Sequence, residues 1–201
     1  MRKFRLFINP VEGRKKWLNE QASKGLRLKH AGRFLYTFEP SAEPYEYDVQ
    51  YIGYMANWDR KEYESFLQQL DFNYWTVSIN VGKFAFGSVR LRPYARGVGK
   101  VATSPGMIGQ ELMILEKRSD GKPFDVFSDE ESVLESLQER QKPYLYTSAL
   151  LAVFLWYIVF VLQDPTWILI LPGLLLLYCL YFAVLLGKMI RKQRERCAIH
   201  N

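Results

Sequence analysis

The sequence predicts an α+β domain followed by a transmembrane helical hairpin, and three features of the chain point there. Apolar and polar residues alternate at a period of two through much of the first 120 positions, as in half-buried antiparallel strands. Three segments carry a capping residue followed three positions later by Glu, which marks helix starts. Two long runs without charge close the chain. Charge follows the same division. Of the 201 residues, those through Lys142 hold 22 Lys/Arg against 19 Asp/Glu, whereas those from Pro143 onward hold five and two, the basic five all after Gly187. This partition excludes a disordered chain, a collagen and a fully soluble protein. Two cysteines, Cys179 and Cys197, exclude a disulfide scaffold and a cysteine-based zinc site. The net charge of +6 is shared about equally between the two parts, so no nucleic-acid partner is expected.

In chain order, Phe4, Leu6 and Ile8 alternate with Lys3 and Arg5 and predict a first strand. Asn9-Pro10-Val11-Glu12 then supplies an N-cap, Pro at the first helical position and Glu at the third. The helix it opens runs to about Lys24, stops at Gly25, and shows Trp17, Leu18 and Ala22 on one face. Strands follow at Leu26 and Leu28, at Phe34, Tyr36 and Phe38, and at Tyr45, Tyr47, Val49 and Tyr51. Asp59-Arg60-Lys61-Glu62 opens a second helix with the stripe Tyr63, Phe66, Leu67 and Leu70. Trp75, Val77, Ile79 and Val81 alternate again, followed by Phe84 and Phe86, and a last strand is expected at Leu112 to Glu116. Ser128-Asp129-Glu130-Glu131 opens a third helix that carries Val133, Leu134 and Leu137, ends before Pro143 and feeds into the membrane.

A repeat at a spacing of about 50 residues links these elements. Gly32-Arg33-Phe34-Leu35-Tyr36 matches Gly82-Lys83-Phe84-Ala85-Phe86 in type, each after an aromatic-bearing helix and a strand. Two β-α-β-β copies predict one open antiparallel sheet with helices on one face, of the ferredoxin-like type. Residues 90–109 interrupt it with Pro93, Gly97, Gly99, Pro105, Gly106 and Gly109 and read as a flexible loop or hairpin insertion. Its basic residues Arg90, Arg92, Arg96 and Lys100 are candidates for binding a partner.

Residues 143–187 form the expected hairpin, with spans at 145–162 and 167–187. Eighteen helical residues cover about 27 Å, close to the hydrocarbon thickness. Only Gln163-Asp164-Pro165-Thr166 separates the spans, which suits a tight turn, and Pro172-Gly173 is placed to kink the second. Arg140, Lys142, Lys188, Arg191, Lys192, Arg194 and Arg196 flank the spans on one side and the turn has no basic residue. The positive-inside rule therefore predicts a multi-pass protein of the inner, cytoplasmic membrane, with both termini, the 1–142 domain and the basic 188–201 tail in the cytoplasm. Tyr144, Tyr146 and Trp167 fall where an interfacial aromatic belt would lie. Met1-Arg2-Lys3-Phe4-Arg5 leads into no h-region, so no cleavable signal peptide is expected.

Motifs for chemistry do not assemble. Gly97-Val98-Gly99-Lys100-Val101-Ala102 matches GxGxxA, but Thr103-Ser104-Pro105-Gly106 follows where a phosphate-binding helix must begin, and a Walker A reading fails at Tyr94 and Val101. His30 and His200 have no ligand-spaced partner, so no metal or cofactor is expected. Asp129, Glu130 and Glu131 suit helix capping better than acid–base work. No catalytic residue is assigned. Phe34, Tyr36 and Phe38 beside Arg27, Lys29 and Arg33 have the composition of a base-stacking platform. The helices need an apolar sheet face, however, and these residues are read as core.

Lys3-Phe4-Arg5-Leu6-Phe7, Trp17-Leu18-Asn19-Glu20 with Ala22, Lys24-Gly25-Leu26-Arg27-Leu28, Gly32 through Glu39, and Pro123-Phe124-Asp125-Val126-Phe127-Ser128-Asp129 resemble the DUF2812 family over roughly residues 2–140. That group is largely bacterial and has no assigned function. Leu26 stands where a Trp often follows the glycine, and the long Arg90–Gly109 segment also departs from the pattern. The resemblance implies C-terminal hydrophobic spans in many relatives, a neighbourhood shared with PadR-type regulators or an envelope-stress setting, and no catalytic residues. The expected role is a membrane-tethered cytosolic interaction or regulatory module, non-enzymatic, with the lipid bilayer and a protein as partners. The alternatives are a membrane-associated enzyme or small-ligand binder with a pocket between sheet and helices, and an accessory subunit of a membrane complex.

Overall fold

A computed structural model describes residues 1–70, 72–79, 84–86, 89–96, 100–102, 110–120, 124, 130–162 and 169–200. The chain divides into two compact units, Met1–Asn80 with Ala95–Val126, and Val81–Tyr94 with Phe127–Asn201. In the first unit come β1 (Arg2–Phe4), α1 (Glu12–Ala22), β2 (Leu26–Ala31), β3 (Leu35–Pro40), β4 (Tyr45–Tyr51), α2 (Asn57–Gln69) and β5 (Asn73–Val77). The second unit contributes β6 (Phe84–Phe86) and β7 (Val89–Leu91). The first resumes with β8 (Val101–Ala102) and β9 (Leu112–Arg118), and the second ends with α3 (Glu130–Tyr157), a π-helical turn at Ile158–Leu162, and α4 (Ile170–His200).

Asn9 Oδ1 accepts from the N–H groups of Val11 and Glu12 at 3.3 and 3.1 Å, but α1 begins at Glu12 with Val11 in the cap position, two residues later than expected. Gly25, at φ +72°, turns the chain out of the helix in the left-handed conformation, and its N–H donates to the Ala22 carbonyl at 2.9 Å. The first sheet is antiparallel in the order β1-β3-β2. Tyr36 and Phe38 leave it on the side covered by α1, where Trp17 meets them edge-on at 5.1 and 5.5 Å and Phe7 meets Trp17 at 5.5 Å. Tyr36 and Phe38 are core, as their spacing predicted, whereas Phe34 of the same expected set is half-buried and meets the exposed Phe4 instead.

The polarity of β1 is reversed from the expected one. Lys3 lies opposite the buried Tyr36 and Phe4 opposite the exposed Leu35, so the apolar alternation Phe4, Leu6, Ile8 points to the outside, at 69, 63 and 72% exposure. Phe7 takes the inner position instead, and the ammonium of Lys3 lies over the Phe38 ring and donates to Gln21 Oε1.

The second sheet is antiparallel in the order β4-β9-β5. Its centre is β9, with Tyr45 opposite Arg118 on one side and Asn73 opposite Glu116 on the other. Leu112, Met113, Ile114 and Leu115 are all fully buried, because a strand between two neighbours and under cover on both faces loses its alternation. Leu67 of α2 packs with Ile52, Met113 and Leu115, while Phe66 and Leu70 of the same expected stripe remain exposed. Helix α2 begins at Asn57, so Asp59 lies in its first turn rather than at its cap. Asn19 of α1 grips the β4 backbone, its Nδ2 donating to the Tyr47 carbonyl at 2.8 Å and its Oδ1 accepting from the Tyr47 N–H at 3.0 Å.

The fold is α+β as predicted, but its strands do not form one duplicated sheet. The first copy, β1-α1-β2-β3, stands as a unit. The second diverges: β4 and β5 flank β9, which lies outside the repeat, and β6 pairs with β7 in the second unit, Phe84 opposite Leu91. Gly82 and Lys83 of the repeat lie outside the described residues, as do Ser128 and Asp129 of the third helix start.

In the second unit, α3 continues through Pro143 rather than ending before it. Tyr144 stacks on Phe182 at 5.4 Å and Gln141 Nε2 donates to the Ala183 carbonyl at 2.7 Å, joining α3 to α4. Pro172 falls in the first turn of α4, where backbone N–H groups have no intrahelical partner to lose. Two stretches are long and apolar enough to cross a membrane, Val133–Phe160 and Ile170–Glu195, with 18-residue windows of mean hydropathy 1.6 and 2.3. The expected turn at 163–166 and Trp167 lie outside the described residues.

Candidate functional site

The densest polar arrangement in the first unit centres on Glu116, near the end of β9 and buried. Its Oε1 accepts from Arg27 Nε and Nη2 at 3.0 and 2.9 Å and from Asn73 Nδ2 at 3.1 Å. Its Oε2 accepts from the Tyr47 hydroxyl at 2.7 Å, and that hydroxyl accepts in turn from the Leu28 N–H at 2.7 Å. β9 brings the carboxylate in, β2 the guanidinium, β4 the phenol and β5 the amide. The bond to Glu116 raises the Arg27 guanidinium above its ordinary value. Burial holds the Tyr47 phenol protonated well above its ordinary value; the Leu28 N–H opposes this and the Glu116 carboxylate adds to it.

Beside this cluster opens a cavity of about 430 Å³, lined by Arg27, Tyr45, Phe72, Asn73, Lys117 and Arg118 among others. Its cations are already matched: Arg27 by Glu116, Lys117 by Asp120 at 2.8 Å, and Arg118 by Glu43 at 3.2 Å. A general base needs a lone pair aimed at substrate, and both oxygens of Glu116 are committed to donors from the protein itself. The cluster therefore works as a clasp between β2 and the second sheet. Among the described residues no group of three or more His, Cys, Asp or Glu side chains is placed to hold a metal ion.

The second candidate is a surface. On the outer side of the first sheet, Phe4, Leu6, Ile8 and Leu35 are exposed, Leu35 at 57%. Phe34 meets Phe4 at 6.0 Å, and the Arg33 guanidinium lies 5.1 Å over the Phe34 ring. Arg2, Arg33, Phe34, Leu35 and His30 border an open concavity of about 430 Å³.

The residues singled out from the sequence lie elsewhere. Lys188, Arg191, Lys192 and Arg194 are exposed along α4. Arg140 is buried in the second unit, and Lys142 pairs with Glu139 at 2.7 Å. Arg92 is buried and belongs to the second unit, whereas Arg96 and Lys100 are exposed and belong to the first. The Arg96 guanidinium lies 5.1 Å over the Tyr54 ring. The side chains of Arg90 and Arg196 lie outside the described ones. Sequence reading missed the Glu116 clasp, because its members come from four distant segments. The one trace was a Glu closing the apolar run Leu112 to Leu115.

The family model described as a protein of unknown function, DUF2812, matches residues 11–149, from the start of α1 into the first apolar stretch of α3. No curated protein and no solved structure matches the chain.

Proposed function

Because the chain belongs to the DUF2812 family, a family of unknown function, its role is read from its own surfaces, and we propose a membrane-tethered, non-enzymatic interaction module. The observation that carries this reading is the exposure of the apolar helices. Val153, Phe154 and Trp156 on α3, Phe160 in the π-helical turn after it, and Leu171, Leu174, Leu177 and Tyr181 on α4, stand open, although core helices of a soluble protein bury such residues. Lipid is the solvent that suits them. The exposed Lys188, Arg191, Lys192 and Arg194 then set the direction by the positive-inside rule, with both termini in the cytoplasm and the bilayer that of the inner membrane.

On this reading the first unit works at the cytoplasmic face, where it holds or releases a cytosolic protein, a PadR-type regulator being the kind the family resemblance favours. The filled aromatic core around Trp17 and the saturated Glu116 clasp support a binding role over a catalytic one. Alkaline carbonate washing of membranes from expressing cells tests the tether. The full chain is expected to stay in the pellet. Its release into the supernatant, with a known integral protein retained, would overturn the reading.

A further inference from the structure

The outer side of the first sheet combines exposed apolar side chains with a rim of one charge. Phe4, Leu6, Ile8 and Leu35 lie among Arg2, Lys29 and Arg33, all exposed. Glu39 is the acidic residue of these three strands, and Lys29 already matches it at 3.4 Å. Resting on the reading of α3 and α4 as a membrane anchor, we infer that this face docks on the surface of a bilayer containing anionic lipid. A second copy is a poor cover, since pairing this face with itself brings Arg2 and Arg33 against like charges. Anionic headgroups supply the opposite sign, and aromatic and aliphatic side chains rimmed by Arg and Lys have the composition that settles at the lipid–water boundary. The anchor makes the encounter intramolecular, so a weak surface affinity is enough. The concavity bordered by Arg2, Arg33 and Phe34 offers room for a headgroup beside the apolar side chains.

Spin-label accessibility on the full chain in lipid nanodiscs tests this. Cys179→Ala and Cys197→Ser remove the native thiols, and Leu6→Cys, Ile8→Cys or Glu20→Cys each introduces one label site, the last on the exposed side of α1. In discs containing phosphatidylglycerol, labels at positions 6 and 8 are expected to lose broadening by a water-soluble nickel chelate and to keep broadening by oxygen, while the label at 20 stays open to the chelate. In purely zwitterionic discs, or with Arg2 and Arg33 changed to Gln, chelate access at 6 and 8 is expected to return. Equal chelate access at 6, 8 and 20 in anionic discs, with the chain incorporated, overturns the docking and leaves the anchor standing. Spin–spin broadening between chains at position 6 overturns it in favour of a second copy. A chain that does not enter the discs overturns both docking and anchor.

Discussion

At Glu116 one carboxylate takes hydrogen bonds from β2, β4 and β5 at once. Removing it leaves the Tyr47 hydroxyl and the Asn73 amide without their acceptor and Arg27 without its counter-charge. Glu116→Ala is therefore expected to cost about 3 kcal/mol, the low end for breaking a buried ion pair, because Arg27 is one third exposed. Thermal unfolding of the full chain in detergent measures it. Tyr63 gives a pH prediction. Burial pushes its phenol up to about 12, from an ordinary value near 10. The unfolded chain releases that proton first, so the stability it contributes is complete below pH 10 and is lost as pH rises towards about 12. Near-UV circular dichroism across that window should fall, less steeply in Tyr63→Phe. Residues 27, 47, 73 and 116 are too far apart in the chain to form a motif; pairing through β9 gathers 47, 73 and 116, and the packing of β2 beside the second sheet adds 27, so the clasp was illegible in the sequence. The hydrogen bonds of Asn9 ahead of α1 and the turn at Gly25 were legible, since their physics is local.

Period-two alternation identified β1, but it does not say which face is covered. The partner strand decides that: Lys3 opposite Tyr36 sends Phe4 outward. Leu6→Ser is accordingly expected to leave stability within about 0.5 kcal/mol, whereas Phe7→Ala, which removes a ring meeting Trp17 at 5.5 Å and Tyr36 at 5.9 Å, costs about 3 kcal/mol. Chemical denaturation in detergent distinguishes the two; equal losses would mean that the alternation faces the core. Gly25→Ala forces a Cβ into φ +72° and is expected to cost about 1 kcal/mol, and Gly25→Asn less, by the same measurement. The central place of β9 was also hidden. Its apolar run Leu112 to Leu115 fits a strand buried on both faces, yet pairing with β4 and β5 spans dozens of residues that no local pattern records.

At the scale of the whole chain, two helices with open apolar sides follow an α+β unit that buries Trp17, Tyr36, Phe38 and Tyr47 in its core. This division was the most legible feature of the sequence, because solvent choice is set by composition over many residues rather than by any one pairing. The central claim is that the helices cross a bilayer as a hairpin with both flanks inside the cell. Cys197 lies on α4 beyond the apolar stretch, while Cys179 is buried within it. The most direct test is labelling of Cys197 by a membrane-impermeant maleimide in intact cells freed of their outer barrier, before and after the cytoplasmic membrane is permeabilised. The account predicts labelling only after permeabilisation; full labelling of Cys197 in the intact cells would contradict it.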